Sequence, residues 1–386
     1  MNILMIHPHD VFDNREPWTI RIESIAREFV KSSHNVKLCY FPLVINRRYY
    51  PKNIDSVDTI PLRRTPSPKS FFLNLLKLIK LCRWADIVHL QKCHHYASIP
   101  AVLASYVTGK PFHYDWDDWE EKIYYESCGK SLNSRFIGFS FKVLERLLPL
   151  LADSVSCAST YLKKLTHEFG VENEYIFDSP VGADINLFRP DLDGNRVKEK
   201  YGIEGELVLY VGQLHGAQYV DLFINAANLV LKTMPDVTFM IVGEGFLEDK
   251  LKRLTHNLKI GNKVLFTGSV SHDEVPYYMA AASVGVASFK DTEVTRCKSP
   301  LKVVEYLASG KPIVSSDVGE TRKMLDGAGL LVEPDSYNSL AEGIIRLLKD
   351  RDLRDNLSIS ARKRAENVYN WPTTASSLLK AYGKII

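Results

Sequence analysis

No Cys-x-x-Cys pair occurs among these 386 residues; the six cysteines, Cys39, Cys82, Cys93, Cys128, Cys157 and Cys297, stand far apart. That spacing argues against a zinc site or a disulfide framework and suits a reducing compartment. No stretch approaches the roughly 18 consecutive apolar residues of a membrane-spanning helix. The opening MNILMIHPHD lacks the basic segment and long apolar core of a secretory leader, and reads as a first core strand. The net charge is only +3, too small to predict a nucleic-acid partner. Repeats and low-complexity tracts are missing as well. With 45% hydrophobic and 25% charged residues, what remains is an ordinary folded enzyme or binding protein, expected in the cytoplasm.

The length suits two domains, each with its own core and a cleft between them. Short apolar runs at Asn2–Ile6, Val36–Phe41, Asp86–Leu90, Pro111–Tyr114 and Ser154–Cys157 read as strands separated by amphipathic helices. Trp18, Ile22, Ile25, Ala26 and Phe29 fall at helical spacing between the first two runs, which makes a strand, helix, strand unit and a parallel sheet. The pattern restarts with runs at Glu206–Val211, Val237–Val242, Lys263–Thr267, Ser283–Ser288 and Pro312–Ser315. The junction SPVGADINLFRPDLDGN has the Pro, Gly and Asp content of a domain boundary. The expected domains are residues 1–185 and 186–370, with a helix at 371–386 packing back on the first. Ligands are expected beyond the carboxyl ends of the strands.

The most informative stretch is CKSPLKVVEYLASGKPIVSSDVGE, residues 297–320. Ser299 and Pro300 open a helix whose free amides and positive dipole end suit a diphosphate. Lys302 brings a mobile positive charge, and Glu305, about one turn on, can accept hydrogen bonds from paired ribose hydroxyls. The plain alternative is a solvent-exposed Lys/Glu pair on a helix.

This stretch resembles the donor motif of retaining GT-B glycosyltransferases, family four of that classification (glycosyl transferases group 1). The resemblance implies an α/β fold of GT-B type, two doubly wound Rossmann-like domains facing a central cleft. It also implies that Lys302 meets the donor phosphates, that Glu305 holds the ribose, and that Ser299, Pro300 and Leu301 line the diphosphate. VGADINLFRP, VGQLHGAQYVDLFINAA, IVGEGFLEDKL and VLFTGSVSHDEVPYYMAAA follow the order of the family's interdomain segment, first strand and helix, glycine hairpin and pre-donor strand. They bring Gly212, Gln213, His215, Gly243, Glu244, Ser269 and Val270 to the donor side. Two departures stand out. Cys297 occupies the place of the family's first motif glutamate, with Glu293 as a candidate substitute. Gln213 and His215 stand where Arg and Lys are common, which shifts phosphate neutralisation toward Lys302, Arg296 or Lys298.

The implied activity is retaining hexosyl transfer from a UDP- or GDP-type nucleotide sugar to a saccharide, lipid-linked or small-molecule acceptor, in glycan or glycoconjugate biosynthesis. Neither metal nor cofactor is required in that mechanism, in which the leaving phosphate helps deprotonate the acceptor. A non-catalytic nucleotide-sugar-binding protein and a nucleotide-sugar epimerase of the same fold are the alternatives.

In the first half, the loop HPHDVFDNREPWT offers His9 and Arg15 for acceptor or phosphate contact. DWDDWEEKIYYE sets Asp115, Asp117 and Asp118 at a strand end, where Asp117 or Asp118 is the candidate for orienting the acceptor. A helix cap or a solvated acidic loop is the competing account. Together Lys302, Glu305, Asp117 and Asp118 are the residues expected to carry turnover. Residues 63–83 hold six basic side chains and no acid around FFLNLLKLIKL, the pattern of a helix that lies on anionic lipid at the inner face of a membrane. A core-packed helix with a lysine outer face is the alternative.

Overall fold

The structure, a computed structural model, describes residues 1–12, 19–44, 50–65, 67–127 and 132–386. Arg15 and Trp18 lie outside the described residues. Two compact units form: Met1–Pro180 together with Trp371–Ile386, and Val181–Asn370. The boundary therefore follows Pro180 rather than residue 185.

The first unit runs β1 (Asn2–Ile6), α1 (Ile20–Lys31), β2 (Asn35–Tyr40), β3 (Lys52–Ile54), β4 (Val57–Pro61), α2 (Pro68–Trp84) and β5 (Ile87–Gln91). It continues with α3 (His95–Thr108), β6 (Phe112–Trp116), α4 (Glu120–Ser127), α5 (Leu132–Leu151), β7 (Ser154–Cys157), α6 (Thr160–Glu168) and β8 (Ile176–Asp178). The strands order as β3-β4-β2-β1-β5-β6-β7-β8. All pairs are parallel except β3 with β4. β5, β6 and β7 are buried along their whole length, as strands covered on both faces must be. α1 turns Ile22, Ile25, Ala26 and Phe29 inward at helical spacing. His113, on β6, is a satisfied core histidine, 2.7 Å from Ser154 Oγ and 2.9 Å from Ser156 Oγ.

The second unit contains α7 (Asn195–Tyr201), β9 (Leu207–Val211), α8 (Val220–Thr233), β10 (Thr238–Val242), α9 (Glu248–Asn257), β11 (Val264–Gly268), α10 (Val275–Ala281) and β12 (Val284–Ala287). Then come α11 (Glu293–Cys297), α12 (Leu301–Ala308), β13 (Ile313–Ser316), α13 (Thr321–Leu325), β14 (Leu330–Val332), α14 (Tyr337–Lys349) and α15 (Arg351–Asn367). Its parallel sheet orders as β11-β10-β9-β12-β13-β14. The core beneath it is built from Val208, Phe223, Phe239, Ile241 and Ile344, with α8 and α14 packed side by side. The last helix, α16 (Trp371–Ile385), packs on α1, β7 and β8 and so belongs to the first unit.

In each sheet the winding direction reverses once, between β1 and β5 in the first and between β9 and β12 in the second. At such a reversal the loops leave in opposite directions and open a crevice at the carboxyl ends of the strands.

Candidate donor and acceptor sites

The crevice of the second unit is floored by glycines. Gly212, directly after β9, has φ +148°, and a Cβ there would lie 2.6 Å from the Lys302 Nζ. Gly243, after β10, has φ +136°, and its Cβ would lie 2.0 Å from the Gly212 carbonyl oxygen. Only residues without a side chain permit this approach. Three backbone bonds then lock the loops: Gly212 N to Val242 O, Leu214 N to Glu244 O and Gly243 N to Gly268 O, each 2.9 Å.

Lys302 lies above this floor on α12, which starts directly after Pro300. Its ammonium donates to the Tyr210 hydroxyl at 2.8 Å and to Gln218 Oε1 at 3.1 Å. Both partners are neutral. Burial, and secondarily the charge of Lys298, holds its pKa well below the ordinary lysine value. The expectation of a mobile charge is thus corrected, as is the alternative of a solvent-exposed pair: the side chain is only 9% exposed and is fixed by Tyr210 and Gln218. An ammonium has three N–H groups, and one remains for an anion.

Glu305 is buried one turn further along α12, and its Oε1 accepts from His272 Nε2 at 2.8 Å. Burial opposes a charged ring at His272, yet the hydrogen bond and charge of Glu305 outweigh it and raise its pKa. Ser299 Oγ accepts from the Val181 amide at 3.3 Å, so this hydroxyl ties down the entry to the second unit. Glu293 is exposed in the first turn of α11, whose end carries the buried Cys297. Arg296 is paired with Asp291 at 2.6 and 2.9 Å on the exposed side of that helix. Gln213 and His215 are half-buried in the loop after β9, Val270 is half-buried beyond β11, and Glu244 and Ser269 are exposed at the rim.

In the first unit the aspartates separate. Asp115, expected at the acceptor, is fully buried, and its carboxylate accepts two bonds from Arg21 at 2.9 Å and one from Ser156 Oγ at 2.5 Å. Burial works against its charge, but Arg21 prevails and brings its pKa to about 2. Arg21 also reaches the Ser179 carbonyl at 2.8 Å, so this pair joins α1, β6 and the end of β8 inside the core. Asp115 is a structural ion pair, not a surface group. Two residues on, Asp117 accepts from Gln91 Nε2 at 2.8 Å, and burial lifts its pKa to about 7. Asp117, Asp118 and Glu120 are grouped closely enough to hold an ion, and the buried Lys92 ammonium stands 3.3, 3.6 and 2.5 Å from them. His9 is buried nearby, with its ring 4.8 Å from that of His94 and its pKa lowered by burial.

Tyr210, Gln218, His272 and Lys92 escaped the sequence reading. His272 and Gln218 left a signal, each lying inside a stretch that resembles the family, VLFTGSVSHDEVPYYMAAA and VGQLHGAQYVDLFINAA; Tyr210 and Lys92 acquire their meaning from partners distant in the chain.

The family model described as glycosyl transferases group 1 matches residues 194–364, most of the second unit. The alpha-D-kanosaminyltransferase of Streptomyces kanamyceticus is 26% identical over 192 residues, 49% of this chain and 48% of that protein. A GDP-mannose-dependent alpha-(1-6)-phosphatidylinositol monomannoside mannosyltransferase of Mycobacterium tuberculosis is 26% identical over 235 residues, 58% of this chain and 60% of the relative. The match thus spans about half to six-tenths of these relatives. Among solved structures, Anabaena Alr3699/HepE in complex with UDP-glucose superposes with a TM-score of 0.77 at 17% identity, covering 100% of both chains. A glycosyltransferase from Rickettsia africae superposes at 0.75 and 18% identity, covering 100% of this chain and 98% of that one. These likenesses establish a GT-B fold. The second unit thus carries the likeness to the glycosyl transferases group 1 family, over residues 194–364.

Proposed function

We propose that the protein is a retaining glycosyltransferase that moves a hexosyl group from a UDP- or GDP-sugar to a saccharide or lipid-linked acceptor. The observation that carries this reading is the buried Lys302 ammonium, held by two neutral partners above the Gly212 loop with one N–H left for an anion. A nucleoside diphosphate supplies the missing negative charge, and as it leaves in transfer, the same contact stabilises the charge it gains. Glu305 takes the ribose hydroxyls once His272 yields. Gly212, Gln213, His215, Gly243, Glu244, Ser269, Val270, Ser299, Pro300 and Leu301 surround the donor, and Glu293 stands in for the carboxylate replaced by Cys297.

On the first unit, Asp117 and Asp118 orient the acceptor hydroxyl beside His9; Arg15, the other acceptor candidate from the sequence, lies outside the described residues. The Lys92 ammonium already occupies the carboxylate cluster, which supports chemistry by orientation and electrostatics without a required metal. The relative named for GDP-mannose and the neighbour bound to UDP-glucose support both donor types. Residues 63–83 bring the protein to anionic membrane, in keeping with a lipid-linked acceptor and a role in glycan or glycoconjugate assembly at the cytoplasmic face.

The test is incubation with a panel of UDP- and GDP-sugars, with released nucleotide and glycosylated product followed together. The anomeric configuration of the product, read by NMR, decides retention. Binding without turnover across donors and acceptors would instead support a nucleotide-sugar-binding protein, an alternative that Cys297 favours. A sugar interconverted while still attached to its nucleotide would mark an epimerase.

A further inference from the structure

Thirteen of the twenty-three exposed large apolar side chains among the described residues lie on three helices of the first unit, α2, α3 and α5. They are well out in solvent: Tyr106 is 86% exposed, Phe136 76% and Leu76 64%. α3 packs against both α2 and α5, so the three form one layer. Strand connections running in opposite directions from a reversal place their helices on opposite faces of the sheet. α1 and α16 accordingly cover the other face, and none of the exposed large apolar side chains lies on them. Of the two helical layers, the one built from α2, α3 and α5 carries these side chains, and α1 and α16 carry none.

The charge on this layer has one sign. α2 carries Lys69, Lys77, Lys80 and Arg83, α5 carries Arg135, Lys142 and Arg146, and α3 has no lysine or arginine. The three helices hold a single acid, Glu145, which is buried and accepts from the Glu120 and Glu121 amides at 2.6 and 3.1 Å. On α2, Lys69, Phe72, Leu73, Leu76, Lys80 and Arg83 follow one another at helical spacing on the exposed side, so cations flank the apolar residues. The inner stripe of the same helix, Ser70, Asn74, Leu78 and Cys82, is buried.

We propose that the α2, α3 and α5 layer is a lipid-binding surface that seats on a membrane rich in anionic headgroups, with its apolar side chains entering the headgroup boundary. The proposal rests on the reading of residues 63–83 as a membrane contact, and extends it from one helix to a three-helix face. A second copy of the chain fits this surface poorly. A two-fold interface sets a patch against itself, and seven cations without an exposed acid would face their own kind. Anionic lipid answers both features, since headgroups neutralise the cations while the boundary accepts apolar rings. No helix is long and apolar enough to cross a membrane, so the surface lies on lipid and does not span it.

The experiment is co-sedimentation of the full chain with vesicles of phosphatidylcholine alone and of phosphatidylcholine with phosphatidylglycerol in equal amounts. Nucleotide-sugar binding and solution mass are measured on the same samples. Binding is expected only with the anionic vesicles. Each cation near such a surface is worth about a fivefold change in partitioning, so Lys69→Ala/Lys80→Ala/Arg83→Ala should weaken it roughly a hundredfold. Phe72→Ser/Leu76→Ser/Tyr106→Ser should leave a weak association that added salt abolishes. Wild-type protein that binds nucleotide yet ignores anionic vesicles would overturn the proposal. So would a dimer in solution that the three serine substitutions dissociate. Vesicle binding without nucleotide-sugar binding would uphold this surface and count against the transferase reading alone.

Discussion

Lys302→Met removes a charge and keeps most of the apolar stem. In the ligand-free protein the ammonium is buried, has only neutral hydrogen-bond partners and has a depressed pKa. The unfolded chain therefore binds this proton more tightly than the folded chain between the depressed value and about 10.4. Wild-type stability should rise with pH across that window, and the methionine variant lacks this rise. The Tyr210 hydroxyl is within 3.3 Å of both the carbonyl oxygen and Oε1 of Gln218, so it keeps an acceptor when the ammonium is gone. Lys302→Met should accordingly melt no lower than wild type at neutral pH without ligand. Nucleoside diphosphate reverses the order. One charge-assisted hydrogen bond from the remaining N–H contributes about 1.5–3 kcal/mol, so affinity for UDP or GDP should fall roughly ten- to a hundredfold. The ligand-induced rise in Tm should shrink with it. A variant less stable without ligand but unchanged in nucleotide affinity would refute the reasoning, since Lys302 would then be a structural residue.

Gly212→Ala sets a methyl group 2.6 Å from the Lys302 Nζ at φ +148°, so it should cost more than about 1 kcal/mol in thermal melts and weaken nucleotide binding; undiminished affinity would separate this loop from the site. His272 has a raised pKa through Glu305, so its stabilising contribution is complete below about pH 6.5 and is lost as pH rises through the raised value. The Tm difference between wild type and His272→Asn should therefore be largest in mild acid and fade in alkali, while wild-type nucleotide affinity rises as Glu305 is released. A pH-independent difference would contradict that pairing. Arg21→Met leaves Asp115 buried without its cation and should cost about 3–5 kcal/mol in denaturant unfolding, with partial rescue by Asp115→Asn. In wild type the Asp115 contribution is present above about pH 4 and is lost as pH falls through about 2, so a flat acid limb would count against the ion pair.

All ten apolar runs read as strands do form strands, and Pro300 does stand at the head of a helix, α12. Alternation, β-branching and helical spacing are local properties, set by sterics and by which side of a short segment is apolar. β3, β8 and β14 went unread because three residues carry too little periodicity. β4 went unread because Asp58 and Pro61 interrupt its apolar run. Lys302 and Glu305 were legible for the same reason as the helices: they sit one turn apart in a single segment that itself states the chemistry.

Their surroundings were not legible. Tyr210, Gln218 and His272 meet that helix from 92, 84 and 33 residues away in the chain, and Lys92 joins Glu120 across 28. Asp115 and Asp117 look equivalent in DWDD, yet Arg21, 94 residues earlier, claims one and leaves the other to Gln91. The three helices that gather the exposed apolar and basic side chains likewise come together only when the sheet is wound. The sequence by itself determined the strands, the helices and the donor motif, because each depends on neighbours within a few residues. The tertiary structure alone decided which charges are buried, what each is paired with and which stripes stay in solvent, because desolvation and pairing depend on groups the chain brings together only on folding.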